Sequence, residues 1–325
     1  MNARQLQASD LTYFALASTA ATPAAVEPKA VPGELPDVLG GRYRIERLLG
    51  VGGMGAVYRA RDLLREQFGD PEPYVALKTL SEDFAEYPDA SALLYSEYAL
   101  TTRLSHRHVV RLYNFDIDPG SQRAFITLEL LKGPTLDQLL CERPQGMAWS
   151  ELQGIALPLL EALSYSHSLG VLHGDLKPSN VMLADDGLRL FDYGLGQSLE
   201  GLLPGLPRLC RTRFAAWTPR YAALELLDGS ELTASADIYA LACVLYELAS
   251  GSHPFRRLSA RQAKAMELDR ALQRPPQLPA HCWPALRLAL AFDEAQRSID
   301  AAGLLHAFSR PVPSRWQRWF GHTHG

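Results

Sequence analysis

The chain has 325 residues, of which 47% are hydrophobic and 21% are charged, and its formal net charge is −4 at pH 7. This length can bury a sizeable core, and typical domain sizes predict about two folding units. The nearly balanced charge argues against a nucleic-acid-coating protein, which needs a basic surplus to displace counterions, so we expect no nucleic-acid partner. The four cysteines form no CxxC pair and favour neither a zinc site nor a disulfide framework, which suits a reducing, cytoplasmic compartment.

The two ends of the chain differ in composition from its middle. Residues 1–40 form an Ala- and Pro-rich leader with little apolar material to pack, so we expect it to be disordered. Asp10 interrupts the run that would be the apolar part of a signal peptide, and no stretch approaches the roughly 18 apolar residues of a membrane span. The tail, residues 311–325, is basic and aromatic, with two Arg and two Trp residues between positions 315 and 319. Residues 310–320 are compatible with peripheral membrane contact or with a disordered basic end.

Between these ends the hydrophobic pattern changes once. Up to about residue 129, short alternating stretches predict strands, interrupted by one helical pattern; after Gly133 helical periodicity dominates. The predicted strands are 43–49, 56–60, 74–80, 109–115 and 124–130, with a helix at 90–104. The later helices are 150–169, 234–251, 260–271, 284–291 and 299–309, with a hairpin of strands 181–183 and 188–191. We therefore expect an α+β fold with a small antiparallel β-rich lobe, residues 41–132, and a larger mainly helical lobe, residues 133–310.

A glycine-rich segment follows the first of these strands. It matches G-x-G-x-x-G, and the continuation alternates like a strand instead of opening a helix, which argues against a dinucleotide-binding βαβ unit. The glycines then lie in a turn between antiparallel strands, where bare peptide N–H groups can close over phosphates and Val57 can cover a purine. A glycine-rich hairpin without a ligand is the alternative. The residues of this predicted flap are Leu49, Gly50, Val51, Gly52, Gly53, Met54 and Gly55.

One lysine lies on an apolar strand and one glutamate on the helix that follows. Lys78 points to the opposite side of its strand from Leu77, and Glu97 is nineteen positions further on. Paired, the two side chains would orient the lysine toward nucleotide phosphates. Taken singly, each would be an ordinary solvated charge.

The strongest motif is His173-Gly174-Asp175-Leu176-Lys177-Pro178-Ser179-Asn180. It resembles the catalytic loop of eukaryotic-like (Hanks-type) bacterial serine/threonine protein kinases. The resemblance implies that Asp175 accepts or orients the proton of the substrate hydroxyl and that Lys177 steadies the γ-phosphate. Asn180 would then ligate a metal, together with the aspartate of Asp192-Tyr193-Gly194.

Further segments extend the resemblance over residues 42–310. Residues 218–225 are similar to the family segment that forms the docking floor for the residue after the phosphoacceptor, which places Thr218 beside Asp175 and Lys177. Arg297 is expected to pair with Glu225, and Asp237 resembles the aspartate that begins the central buried helix.

The same resemblance assigns the nucleotide pocket. Leu128 takes the place of the gatekeeper before the hinge, and the backbone of Glu129 and Leu131 would bind adenine. Val57, Ala76 and Met182 would enclose the ring. The implied ligand is ATP with Mg²⁺, for which Mn²⁺ is the alternative, because amide and carboxylate oxygens suit a hard cation and do not suit zinc.

Three residues depart from the family pattern. Gly174 replaces the arginine that binds an activation-loop phosphate, so activation through that pair is not expected. Tyr193 replaces phenylalanine and Leu224 replaces proline, with little expected cost. Residues 195–217 carry several leucines and few hydroxyls, so we expect this loop to pack instead of being switched by phosphorylation at Ser198 or Thr212.

These features together predict a protein kinase that transfers phosphate from Mg-ATP to Ser or Thr hydroxyls of proteins, and also of itself, in bacterial signalling. A cognate phosphatase would reverse the reaction. Two alternatives are a nucleotide-binding pseudokinase scaffold and a small-molecule kinase. The presence of Lys78, Asp175 and Asp192 argues against the scaffold, and the docking segment at 218–225 argues against the small-molecule enzyme.

Overall fold

The computed structural model describes residues 35–52, 55–80, 90–194, 196–198 and 218–311. Several predicted features lie outside these residues: most of the leader, flap residues Gly53 and Met54, Thr212 with its neighbouring loop, and the tail from residue 312. The side chain of Ser198 is likewise outside the description.

The N-terminal part folds as a six-stranded antiparallel sheet with the strand order β1-β2-β3-β4-β6-β5. Its described residues include two helices, a short one between β3 and β4 and a longer one between β4 and β5. In chain order the elements are β1 Val38–Leu39, β2 Tyr43–Val51, β3 Gly55–Asp62, α1 Leu63–Gln67, β4 Tyr74–Leu80, α2 Ala90–Thr101, β5 Leu112–Ile117 and β6 Ala124–Leu128.

The larger part is mainly helical and carries two small two-stranded sheets, β8-β9 and β7-β10. Its elements are α3 Leu136–Glu142, α4 Trp149–Ser168, β7 Val171–Leu172, β8 Val181–Ala184, β9 Gly187–Leu190, β10 Gln197–Ser198, α5 Leu224–Leu227, α6 Ala234–Ser250, α7 Ala260–Ala265, α8 Trp283–Ala289 and α9 Ala301–Ser309, with 3₁₀ turns at Pro178–Asn180 and Glu294–Gln296. The predicted division into a small β-rich lobe and a larger helical lobe is therefore confirmed.

Strand β4 shows how the sheet separates a core from a cleft. Val75 and Leu77 pack on one face with Phe125, whose ring meets Tyr43 edge-on with 5.8 Å between centroids. The intervening residue, Ala76, belongs to a second apolar cluster on the opposite face, and Lys78 follows it on that face. As predicted, Lys78 lies on the opposite side of its strand from Leu77, and this side faces the space between the two lobes.

Helix α6 is the centre of the helical lobe. Almost every side chain from Ala236 to Ala249 is buried, because the helix is apolar on nearly all sides. The Thr233 side chain caps its start by accepting a hydrogen bond from the peptide N–H of Ala236, and Gly251 ends it in a left-handed conformation. This rigid helix carries Asp237 in its first turn, directly beneath the 173–175 segment.

The predicted ion pair between Glu225 and Arg297 is present. The Arg297 side chain is completely buried, and its Nη1 lies 2.7 Å from a Glu225 carboxylate oxygen. Its guanidinium also donates hydrogen bonds to the carbonyls of Ser235 and Ala291, so the buried charge has several hydrogen-bond partners. The pair fastens the 218–225 segment to helix α6 and to the loop before α9.

Some predicted boundaries are wrong. The helix expected over 260–271 ends at Ala265, since Glu267 adopts a positive φ of 52° that breaks it. The strand expected from residue 109 begins at Leu112, because Val110 instead donates its peptide N–H to the carbonyl of Leu190 and so joins the two lobes. No helix in the described residues is long and apolar enough to span a bilayer.

Gly133, which lies between β6 and helix α3, packs closely against strand β8. Its φ is +146°, and an added Cβ would lie 2.0 Å from the carbonyl oxygen of Leu183. We expect Gly133→Ala to destabilise the protein by more than about 2 kcal/mol in urea unfolding, because both the backbone and the contact would have to shift. Gly154 is the matched control: it is exposed on helix α4 with nothing within 4 Å, so Gly154→Ala should stabilise by up to about 1 kcal/mol. Equal effects of the two substitutions would contradict this packing.

Candidate active site

The cleft between the lobes contains a buried cluster of three charges. The Nζ atom of Lys78 lies 2.6 Å from both carboxylate oxygens of Glu97 on helix α2. It also lies 2.8 Å from Oδ1 of Asp192, which follows strand β9. A single ammonium group therefore bridges the sheet, the α2 helix and the larger lobe.

The pKa values of the two carboxylates in this cluster are shifted in opposite directions. Burial raises the pKa of Glu97, and the attraction of Lys78 only partly opposes this effect. At Asp192 burial also acts upward, but the charge and hydrogen bond of Lys78, assisted by Lys177, outweigh it and hold the pKa below its usual range. Asp192 is therefore the carboxylate that stays ionised most firmly, as expected of a metal ligand.

Backbone hydrogen bonds attach the segment that carries Asp175 to helix α6. The peptide N–H groups of His173 and Gly174 donate to the two carboxylate oxygens of Asp237, at 2.8 and 2.9 Å. The same carboxylate contacts Nε2 of His167 at 2.9 Å, and His173 Nε2 contacts the carbonyl of Phe191. Because Asp237 is fully buried, this anchor fixes the backbone on which Asp175 stands.

Asp175, Lys177 and Thr218 meet in a compact group. Lys177 Nζ lies 2.5 Å from Oδ2 of Asp175 and 2.9 Å from Oγ1 of Thr218. The peptide N–H of Thr218 donates to the other oxygen of Asp175 at 3.1 Å. Burial tends to lower the pKa of Lys177, but Asp175 outweighs it and raises that pKa, so the ammonium stays charged.

Asn180 and Asp192 offer oxygen donors of the kind that a hard divalent cation prefers. Asn180 donates its Nδ2 to the carbonyl of Asp175 at 2.9 Å, and its buried Oδ1 has no hydrogen-bond partner among the described residues. Asp192 is held in a left-handed conformation with φ 68°. An unpaired buried amide oxygen is costly unless a ligand uses it, so these two residues fit Mg²⁺ completed by phosphate and water oxygens.

An apolar pocket lies on the cleft side of the sheet. Six of the residues predicted for the nucleotide site belong to one buried cluster with Val110 and Phe191. These six are Leu49, Val57, Ala76, Leu128, Leu131 and Met182. At its edge the peptide N–H of Leu131 has no partner among the described residues, whereas the N–H of Glu129 donates to the carbonyl of Arg111. The Leu131 N–H is therefore available to a ligand.

The glycine-rich flap connects β2 and β3, and its described part pairs as a hairpin. Gly50 lies opposite Val57 and Val51 opposite Ala56, and the peptide N–H of Gly52 donates to the carbonyl of Gly55 at 2.8 Å. An added Cβ at Gly55 would lie 1.9 Å from the carbonyl oxygen of Thr79, so glycine is required there for the close approach to β4. Gly53 and Met54 at the tip lie outside the described residues.

Several supporting contacts were not predicted from the sequence. The Tyr193 hydroxyl is bonded to Ser166 at 2.8 Å and uses the extra oxygen that distinguishes it from phenylalanine. Arg189 lies 3.3 Å from the Glu129 carboxylate and 2.5 Å from that of Asp186, linking the hinge to β9. A buried tyrosine needs a polar partner, so only the first of these contacts had a signal in the sequence.

Comparison with known proteins agrees with this geometry. The family model described as "Protein kinase domain" matches residues 43–308, which include both lobes and every group of the cleft. The chain belongs to the protein kinase family.

Curated relatives of this kinase chain carry names of bacterial kinases. It is 33% identical over 270 residues to serine/threonine-protein kinase PknD of Mycobacterium tuberculosis, covering 81% of this chain and 39% of that protein. It is 32% identical over 268 residues to serine/threonine-protein kinase PkaA of Streptomyces coelicolor, covering 78% and 47% respectively. The kinase chain thus spans less than half the length of these two relatives.

A solved structure has the same fold. The kinase domain of Mycobacterium tuberculosis PknI, as a C20A mutant, superposes with a TM-score of 0.61 at 25% identity. The match covers 86% of this kinase chain and 98% of that one.

The Asp237 carboxylate accepts hydrogen bonds from the peptide N–H groups of both His173 and Gly174. In Asp237→Asn an amide NH₂ would face one of the peptide donors, so the Asp175 backbone should lose its position. We expect kcat of the kinase to fall at least about tenfold, with KM for ATP unchanged within about twofold, in steady-state kinetics. The control is Asp228→Asn at an exposed ion pair with Arg261, which should leave both constants unchanged. A loss of thermal stability without a change in kcat would contradict the positioning role.

Proposed function

We propose that this protein is a serine/threonine protein kinase that transfers the γ-phosphate of ATP to hydroxyls of protein substrates. The observation that carries the proposal is the meeting of two charge clusters in one cleft. One contains Lys78, Glu97 and Asp192, and the other contains Asp175 and Lys177. Phosphoryl transfer needs cations around the phosphates and a carboxylate beside the attacking hydroxyl, and these clusters supply both.

ATP binding is divided between an apolar and a charged part of the cleft. The purine enters the cluster between Val57, Ala76 and Met182, with Leu128 behind it, while the backbone of Glu129 and Leu131 forms its polar edge. Lys78, oriented by Glu97, binds the α- and β-phosphates, and the flap closes over them. The binding energy thus comes from apolar burial, and the charges fix the orientation of the phosphates.

Asn180 and Asp192 would hold Mg²⁺, or Mn²⁺ in its place. When bound, the metal neutralises phosphate charge. Lys78 keeps Asp192 ionised, so the protein presents this carboxylate in the form that binds a cation. The buried Oδ1 of Asn180, which accepts no hydrogen bond from the described part of the chain, supports its assignment as the second ligand.

In the transfer itself, Asp175 accepts or orients the proton of the substrate hydroxyl. Thr218 and Lys177 hold this carboxylate through its two oxygens, and the Lys177 ammonium lies where negative charge develops on the transferred group. Preorganised charges of this kind need no rearrangement during the reaction.

Two observations favour protein substrates with serine or threonine acceptors. The floor at residues 218–225 is tied to Asp175 at one end and to Arg297 at the other, giving a rigid surface beside the acceptor position. The relatives bear names of serine/threonine-protein kinases. Autophosphorylation, a cytoplasmic location and reversal by a cognate phosphatase in bacterial signalling belong to the same proposal. A pseudokinase scaffold is disfavoured because Lys78 and Asp192 form an ion pair in the cleft and Asp175 is paired with Lys177.

The test is transfer of labelled γ-phosphate from Mg-ATP to the protein itself and to a generic basic protein. We expect phosphoserine or phosphothreonine in the wild type. Asp175→Ala and Lys78→Met should each lower the rate at least about a hundredfold, because each removes a charge from the reaction centre. Lys132→Met, at a lysine whose side chain is 62% exposed, is the matched control and should transfer normally.

Nucleotide binding is measured in parallel by thermal shift. ATP binding without any transfer by the wild type would contradict the kinase assignment and favour the scaffold. Transfer that persists in Asp175→Ala would contradict the role of that carboxylate.

A further inference from the structure

The residue after Asp192 is a tyrosine whose side chain is completely buried in the core of the larger lobe. Its hydroxyl oxygen lies 2.8 Å from Oγ of Ser166 on helix α4, and this serine is completely buried as well. A phenylalanine at position 193 would fill the same space without this contact. Burying a hydroxyl is costly unless its hydrogen bond is made, so the contact between Tyr193 and Ser166 is specific to the tyrosine.

The hydrogen bonds of this pair run in one direction. Ser166 Oγ donates to the carbonyl of Ala162, one turn earlier in helix α4, at 2.9 Å. Because a serine hydroxyl has one proton, Tyr193 is the donor in the 2.8 Å contact and Ser166 is the acceptor. Both hydroxyl protons are thus used, and helix α4 holds the tyrosine ring by its outer end.

His173 holds the residue on the other side of Asp192. Its Nδ1 accepts the peptide N–H of Asp175 at 3.3 Å, so Nε2 carries the ring proton and donates to the carbonyl of Phe191 at 3.1 Å. The Tyr193 ring packs against this imidazole with 4.6 Å between centroids. Asp192 therefore lies between two residues that hydrogen bonds hold in place, Phe191 through its carbonyl and Tyr193 through its hydroxyl.

The backbone at Asp192 needs this support. Its φ of 68° lies in the left-handed region, which persists in residues other than glycine where neighbouring contacts enforce it. The Asp192 carboxylate accepts from Nζ of Lys78 at 2.8 Å, and the same ammonium bonds to both oxygens of Glu97. Under the proposed function Lys78 also binds the phosphates of ATP. The contacts on either side of Asp192 then keep its carboxylate in position while the nucleotide is bound.

We propose that Tyr193 is a positioning residue for the metal ligand Asp192, acting through the hydrogen bond of its hydroxyl to Ser166. This bond fixes the carboxylate in the orientation that receives Mg²⁺ and so raises the affinity of the nucleotide-bound cleft for the cation. The hydroxyl lies in the core and not in the cleft, so it acts through the backbone that it shares with Asp192. The inference rests on the proposed kinase function.

The experiment measures binding without phosphate transfer. Calorimetry gives the affinity of the full chain for a non-hydrolysable ATP analogue without metal and at saturating Mg²⁺, and the ratio of the two affinities is the gain due to the metal. Chelation of Mg²⁺ by the free analogue is the same for every variant, so differences in this gain come from the protein. We expect Tyr193→Phe to keep the metal-free affinity within about twofold and to lower the gain about three- to tenfold, because the carboxylate then spends less time in its binding orientation.

Ser166→Ala removes the same bond from its other end and is the second variant. It should lower the gain at least as much as Tyr193→Phe, because it leaves the tyrosine hydroxyl buried without its acceptor. The double variant should be no worse than Ser166→Ala alone, since both substitutions act through one bond. Tyr246→Phe is the matched control. This tyrosine packs against Trp283 and donates its hydroxyl to the carbonyl of Gln273 at 3.1 Å, so its substitution should leave the gain unchanged.

Steady-state kinetics gives a second readout that a purely structural role would not move. The Mg²⁺ concentration for half-maximal phosphate transfer should rise about three- to tenfold in Tyr193→Phe, while kcat at saturating Mg²⁺ stays within about twofold of the wild type. A loss of thermal stability with an unchanged dependence on Mg²⁺ would make Tyr193 an ordinary core residue and overturn the inference.

The outcomes separate this inference from the kinase function. A gain in Tyr193→Phe that equals or exceeds that of the wild type, or additive losses from the two substitutions, would overturn the inference while transfer by the wild type continues. Absence of both a metal-dependent gain and phosphate transfer in the wild type would overturn the kinase function and the inference together.

Discussion

The structure depends most on one buried ammonium group shared by two carboxylates. Lys78 comes from the sheet, Glu97 from helix α2 and Asp192 from the larger lobe, so their contacts require both lobes to be in place. Removing three charges from water is costly, and the attraction of Lys78 for the two carboxylates offsets that cost. The apolar pocket lies along the same strand as Lys78, and Lys177, beside Asp175, helps to keep Asp192 ionised. An interaction that contributes modestly to stability therefore assembles the whole cleft.

Local patterns in the sequence were sufficient for much of this arrangement. Alternation along β4 separates Val75 and Leu77 from Ala76 and Lys78, because strand geometry alone assigns the faces. The pairing of Lys78 with Glu97, and of Glu225 with Arg297, needed the family resemblance, since nothing in nineteen or seventy-two residues of separation predicts contact. Short elements escaped prediction, such as α1, whose cap at Asp62 is its main local signal.

What could not be predicted depends on tertiary contacts. Asp237 reads as one acidic residue at the start of an apolar helix, yet it accepts hydrogen bonds from a segment more than sixty residues earlier. The end of α7 depends on a positive φ at Glu267 that its residue type does not favour. The left-handed Arg256 and Arg257 likewise have no signal in composition or periodicity. Each of these features is imposed by the surrounding fold, and Asp237 among them holds the backbone beside Asp175.

The most direct test of the account is a double-mutant cycle on the free energy of unfolding, using Lys78→Met, Glu97→Gln and the double variant in urea. Lys78→Met alone leaves two buried carboxylates without their cation and should cost about 3–5 kcal/mol. Neutralising Glu97 as well should recover part of that loss, giving a coupling energy above about 1 kcal/mol. Additive effects of the two substitutions would contradict the claim that these charges stabilise one another and thereby hold the cleft together.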